Sequence, residues 1–128
     1  MLFDHVDMRV RDLARVRPLY DALLGAMGYT QVNADEESAG YHRPGETGAE
    51  PFLWLVADSG HRPPETRIAL SAQTRAEVDR LAEIARQAGA QGFEAPQLIP
   101  EYGPAYYATF FDDAEGNKLE ICCRRPPQ

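Results

Sequence analysis

Apolar and polar residues alternate and recur along this chain in an order that appears twice. Over residues 3–10, Val6, Met8 and Val10 fall on one side and His5, Asp7 and Arg9 on the other, the two-residue period of a strand. Asp12 then stands where a helix N-cap belongs. Leu13, Val16, Tyr20, Leu23, Leu24 and Met27 follow at helical spacing, an apolar stripe suited to lying on a sheet. Pro18 interrupts that stripe, which predicts a short looser turn from Asp12 and a main helix opening at Pro18, where a missing N–H costs little. Gly25 and Gly28 are placed to close it. Three short strands are predicted at 29–32, 39–42 and 51–57, separated by polar loops at 33–37 and 44–48.

The order then repeats. Residues 66–71 read as a strand, and Thr74 with Glu77 three positions later reads as a capping box opening a helix that runs to Gln87. Its stripe is Val78, Leu81, Ile84, Ala85 and Ala88, and Gly89 ends it. A weak strand at 93–99 leads to a hairpin over 105–124, turning on Asp113-Ala114-Glu115-Gly116-Asn117. On the returning strand Leu119, Ile121 and Cys123 face one way and Lys118, Glu120 and Cys122 the other, so Glu120 leaves the apolar layer. Each half therefore reads β-α-β-β-β, an internal duplication of α+β class. The expected organisation is a single domain, 1–128, with modules at 1–58 and 66–124 joined by a Pro-rich linker at 59–65.

Composition narrows the partners. With 128 residues, 44% hydrophobic and 26% charged, the chain has the make-up of one soluble globular domain. A formal charge of -7 with its 13 Lys and Arg scattered argues against nucleic acid as a partner. No apolar run approaches the ~20 residues that span a bilayer, and the N-terminal residues lack the basic flank of a signal, so the expectation is a cytoplasmic protein with no membrane partner. The two cysteines, Cys122 and Cys123, are adjacent. Neighbours in a strand point to opposite faces, which predicts reduced thiols and no zinc spacing.

Asp4-His5-Val6, Arg9-Val10, Asp12-Leu13, Tyr20 and Leu24-Gly25 in the first half carry a resemblance to a known family. So do Arg67-Ile68-Ala69-Leu70-Ser71, Ala88-Gly89-Ala90 and the run from Phe111 to Glu120 in the second. Over nearly its whole length the chain resembles the vicinal oxygen chelate superfamily of glyoxalases, bleomycin-resistance proteins and extradiol dioxygenases. It departs from the family's usual Asp-Pro-Asp-Gly-Asn turn at Ala114 and Glu115. The resemblance implies two β-α-β-β-β modules forming one incomplete barrel around a cleft, and a homodimer.

The metal enzymes of that superfamily hold a divalent ion through four positions, two from each module. His5 and Glu120 match the outer two with ligand-type residues, while Trp54 and Arg67 stand at the inner two. Arginine stays protonated and has no lone pair to donate, and indole is no better. The expectation is therefore that no metal cofactor is kept, and that the Arg67 guanidinium pairs with the Glu120 carboxylate in the place of the ion. His5, Trp54, Arg67, Tyr102 and Tyr107 are the expected ligand-binding residues, in a cleft whose aromatic walls, with Tyr106 in the same run, suit a flat organic molecule with a carboxylate for Arg67. Cys122, on the face of Glu120, reads as a small buried apolar residue. The function implied is small-molecule binding of the drug-resistance kind. The alternative is a divalent-metal-dependent lyase, isomerase or dioxygenase in which His5 and Glu120 hold an ion and Glu120 also serves as the catalytic proton acceptor. A third reading is a regulatory or structural domain whose cleft is filled by its own side chains.

Overall fold

The computed structural model describes residues 2–44 and 52–127. The chain divides into two compact units, Met1–Arg62 and Pro63–Gln128, and the division falls inside the predicted linker. The first unit contains β1 (Val6–Val10), α1 (Leu13–Ala26), β2 (Thr30–Val32), β3 (Ser38–His42) and β4 (Leu53–Ala57). The second contains β5 (Arg67–Ser71), α2 (Arg75–Gln87), β6 (Gln91–Leu98), a 3-10 turn at Pro100–Tyr102, β7 (Tyr107–Asp112) and β8 (Lys118–Cys123). Pro51 and most of the loop predicted at 44–48 lie outside the described residues.

The duplication is visible in the pairing. One sheet runs β1-β4-β3-β2 and the other β5-β8-β7-β6. In each, the first strand lies parallel to the last, and the remaining neighbours are antiparallel. The result is the expected α+β class, with two four-stranded mixed sheets and one α-helix per unit among the described residues. No helix among the described residues is long and apolar enough to cross a membrane.

The helix ends repeat as well. The Asp12 carboxylate accepts the Arg15 N–H at 3.3 Å, and the Thr74 hydroxyl accepts the Glu77 N–H at 3.0 Å. Glu77 reaches back to accept the Gln73 N–H at 2.9 Å. At the other end Gly28 and Gly89 adopt φ of 90° and 108°, the left-handed conformation that lets the chain turn back. The next residue then donates to a carbonyl five positions earlier, Tyr29 to Leu24 at 2.8 Å and Ala90 to Ala85 at 3.0 Å.

One local expectation is corrected. The helix α1 does not begin at Pro18; it runs unbroken from Leu13 through it. Proline inside a helix costs about 3 kcal/mol through its lost N–H bond and ring clash. Leu13, Val16, Leu19, Tyr20, Leu23 and Leu24 are all buried on the same helix, and each such side chain gains about 1.5–3 kcal/mol by leaving water. Packing of the stripe outweighs the one defect.

In the first unit Met8, Val10, Ala39, Tyr41, Leu53 and Leu55 of the sheet are buried along with that stripe. The Tyr41 hydroxyl donates to Asp21 on α1 at 2.7 Å. In the second, Val78, Leu81, Ala82 and Ala85 of α2 are buried along with Thr109, Phe111, Leu119, Ile121 and Cys123 of the sheet. Among the described residues, the other face of each sheet carries no helix of its own unit.

Candidate functional site

The site is set by one tight turn. Asp113, fully buried, uses Oδ1 to accept the N–H groups of Glu115 and Asn117 at 2.8 and 3.0 Å. Its Oδ2 accepts from the Asn117 side chain at 2.8 Å. Gly116 supplies the positive φ, 94°, that brings the chain round. This turn fixes the register of β7 on β8: Asp112 faces Lys118, Phe110 faces Glu120 and Ala108 faces Cys122.

Opposed residues in a ladder share a face. Phe110 and Glu120 therefore both point away from α2, and the adjoining strands extend the row, with Glu94 of β6 opposite Phe110 and Ala69 of β5 beside Glu120. Acid, aromatic ring and acid thus stand in line across the open face. Arg67, two residues before Ala69, brings its guanidinium over the Phe110 ring at 4.9 Å from the centroid. Arg67, Glu94, Gln97, Ile99, Tyr102, Phe110 and Glu120 line a cavity of about 290 Å³.

Glu120 is 6% exposed. A buried carboxylate requires a donor, and the Tyr106 hydroxyl provides it on Oε2. The phenol's ionisation is pushed up, chiefly by burial, then by the neighbouring Cys122 thiol and the Glu120 carboxylate. Tyr102 stands edge-on to the Tyr106 ring at 5.5 Å, and the Arg124 guanidinium covers that ring at 4.6 Å. Cys122 is only half-buried and lies beside the phenol rather than in the core.

The structure brings Arg67, Tyr102 and Glu120 to one cavity and corrects two details. Among the described residues Arg67 and Glu120 form no ion pair: the acid is bonded to Tyr106, and the guanidinium lies on Phe110. A phenol donor satisfies the buried acid without desolvating a cation, and the exposed Arg67 keeps its water. Tyr107 is on the helix side of β7, where its hydroxyl donates to Asp79 at 2.6 Å and Arg75 covers its ring at 5.5 Å. Tyr106, one residue earlier, takes the open-face position.

The Asp79 bond, aided by burial and by the charge of Asp79, pushes Tyr107 up to about 12. A folded-state value above the unfolded one favours the protonated phenol. Its contribution is thus complete below the ordinary tyrosine range near 10 and is lost as the pH climbs through 12. Asp79→Asn is expected to move Tyr107 back toward about 10, followed by its ring-carbon NMR shift against pH; an unmoved titration would show that Asp79 is not the cause.

His5 and Trp54 belong to the first unit. Trp54 is half-buried on β4, opposite Asp7 on β1 and Gly40 on β3. His5 precedes β1 and is exposed, with Nδ1 2.7 Å from Asp4 and Nε2 3.9 Å from Asp7. The Asp4 hydrogen bond, with the charges of Asp7 and Asp4, raises its pKa against the opposing effect of desolvation.

Sequence reasoning passed over Phe110, Glu94, Gln97 and Ile99 and chose Tyr107 over Tyr106. The hairpin register contained the signal for two of these: counting back from the turn pairs Phe110 with Glu120 and puts Tyr106, not Tyr107, on the same face.

Comparison with known proteins settles the family. The sequence model of the Glyoxalase/Bleomycin resistance protein/Dioxygenase superfamily matches residues 2–121. This chain belongs to that superfamily. Among solved structures, the glyoxalase/bleomycin resistance protein from Albidiferax ferrireducens T118 is similar with a TM-score of 0.78 at 23% identity, covering 98% of this chain and 100% of that one. A superfamily enzyme from Burkholderia phytofirmans PsJN gives 0.72 at 19% identity, covering 94% and 97%. The fosfomycin resistance protein FosX from Listeria monocytogenes gives 0.71 at 13% identity, covering 96% and 93%. No curated protein matches.

The superfamily's metal enzymes pose a test of the donor set. Among the described residues no three His, Cys, Asp or Glu side chains gather where they could hold an ion. Trp54 and Arg67, which the resemblance matches to inner ligand positions, offer no lone pair, and Arg67 adds a positive charge to the cavity that contains Glu120. These residues do not fit a divalent ion, whose binding depends on ligand number and negative charge.

Proposed function

We propose that this superfamily member binds a small organic ligand in the cavity of its second unit and does so without a divalent metal. The observation that supports this reading best is Arg67. At a position where the metal enzymes place a ligand, it presents a permanent cation, held over Phe110 and facing the same space as Glu120. A cation of the protein's own in that place disfavours a metal and favours an anionic group on the ligand, with Phe110 and Tyr102 as flat apolar walls. The sequestering role of drug-resistance relatives is the model for the function, and homodimerisation is expected on the same family ground.

The superfamily's metal enzymes supply the competing reading, a divalent-metal-dependent lyase, isomerase or dioxygenase. His5 and Glu120 are the ligand-type residues left for it, with Glu120 as proton acceptor. Elemental analysis of protein purified without chelator separates the two. The expected result is no stoichiometric divalent ion in the native protein and a gain in uptake in Arg67→His, which replaces a cation by a nitrogen donor. A stoichiometric ion in the native protein would overturn the proposal.

A further inference from the structure

The charges lining the cavity are mixed in a way that narrows the ligand further. Glu94 and Glu120 flank Phe110 along one row of the sheet, and Arg67 reaches over the same ring from the neighbouring strand. Among the described residues neither Arg67 nor Glu94 is held in an ion pair, so both are available to a ligand. Glu120 spends one oxygen on Tyr106.

We infer that the cavity selects a small zwitterion, a molecule with a carboxylate for Arg67 and a protonated amine for Glu94 and Glu120, joined on an aromatic or apolar frame that lies on Phe110. The inference rests on the proposed metal-free binding role and deepens it. A simple carboxylate would satisfy Arg67 but stand against two acids. A simple amine would satisfy the acids but meet the guanidinium on the ring it would need for itself. Only a ligand with both charges leaves no group in the cavity facing its own sign, and complementary charges of this kind discriminate between ligands by placing like charges against the wrong one. A volume of about 290 Å³ is at the small end of ligand cavities, which fits an amino-acid-sized molecule better than a large drug.

Three probes with one skeleton test this: L-phenylalanine, 3-phenylpropanoate and 2-phenylethylamine, titrated into the full chain and followed by backbone-amide NMR shifts. L-Phenylalanine is expected to bind at least tenfold more tightly than either singly charged probe, with shifts centred on Phe110 and Glu120. Glu94→Gln should weaken phenylalanine and the amine severalfold and tighten the carboxylate, which loses one of the two acids it stands against, and Arg67→Gln should weaken phenylalanine and the carboxylate severalfold. Equal binding of the carboxylate and the zwitterion would overturn the inference while leaving the metal-free binding role intact. Equal binding of the amine and the zwitterion, or no binding by any probe, would overturn it as well. The metal content of the native protein, measured separately, decides the underlying reading whatever the probes do.

Discussion

Asp113→Ala is expected to destabilise the protein by about 3 kcal/mol, measured by urea unfolding. The carboxylate is fully buried and accepts hydrogen bonds from the Glu115 and Asn117 backbones and the Asn117 side chain. A hydrogen bond to a charged acceptor contributes about 1.5–3 kcal/mol, and a buried donor left unsatisfied costs about 1–3 kcal/mol. Asn117 is 3% exposed, so water cannot readily replace what alanine removes. Asp113→Asn keeps one acceptor oxygen in place and should lose less. A change below about 1 kcal/mol in the alanine variant, the contribution of an ordinary single hydrogen bond, would mean that the two backbone bonds across the turn, Asp113 to Asn117 at 2.9 Å and Gly116 to Asp113 at 3.1 Å, hold it unaided.

Tyr106→Phe is expected to destabilise by about 2 kcal/mol, because it strips a donor from the buried Glu120 carboxylate while leaving the ring, its edge contact with Tyr102 and its cover by Arg124 in place. The informative measurement is the double-mutant cycle with Glu120→Gln. An amide has no charge to strand, so the phenylalanine change should matter much less in the glutamine background, giving a coupling of at least about 1 kcal/mol. Additive effects would show that phenol and acid do not depend on each other.

Much of the fold could be read from the chain because its local signals agree with one another. The alternation at Val6, Met8 and Val10, the caps at Asp12 and Thr74, and the glycines at 28 and 89 each name an element boundary by a mechanism confined to a few residues. Pro18 was misread because its local cost is real, and only the buried stripe around it, a property of the packed unit, decides the outcome.

The site was less legible for a related reason. Glu120 and Arg67 stand out by residue type, but what each touches depends on register. Tyr106 and Tyr107 look alike in sequence and differ only in which face of β7 they take, something the turn at Asp113 settles from several residues away. Glu94 was harder still. The register of β6 slips between Gln91 and Glu94 and again before Gln97, so no period-two count along that strand leads to the partner of Phe110.

The shared strand order has a consequence for how each unit assembles. Within either sheet, the last three strands pair with sequence neighbours, but the first must find the last: Val6 waits for Leu53, and Arg67 for Lys118. Such a parallel contact closes a long loop and gains nothing until its distant partner exists. During synthesis β1 and β5 therefore emerge before the strands they pair with, and each docks only once the closing strand of its own unit is in place.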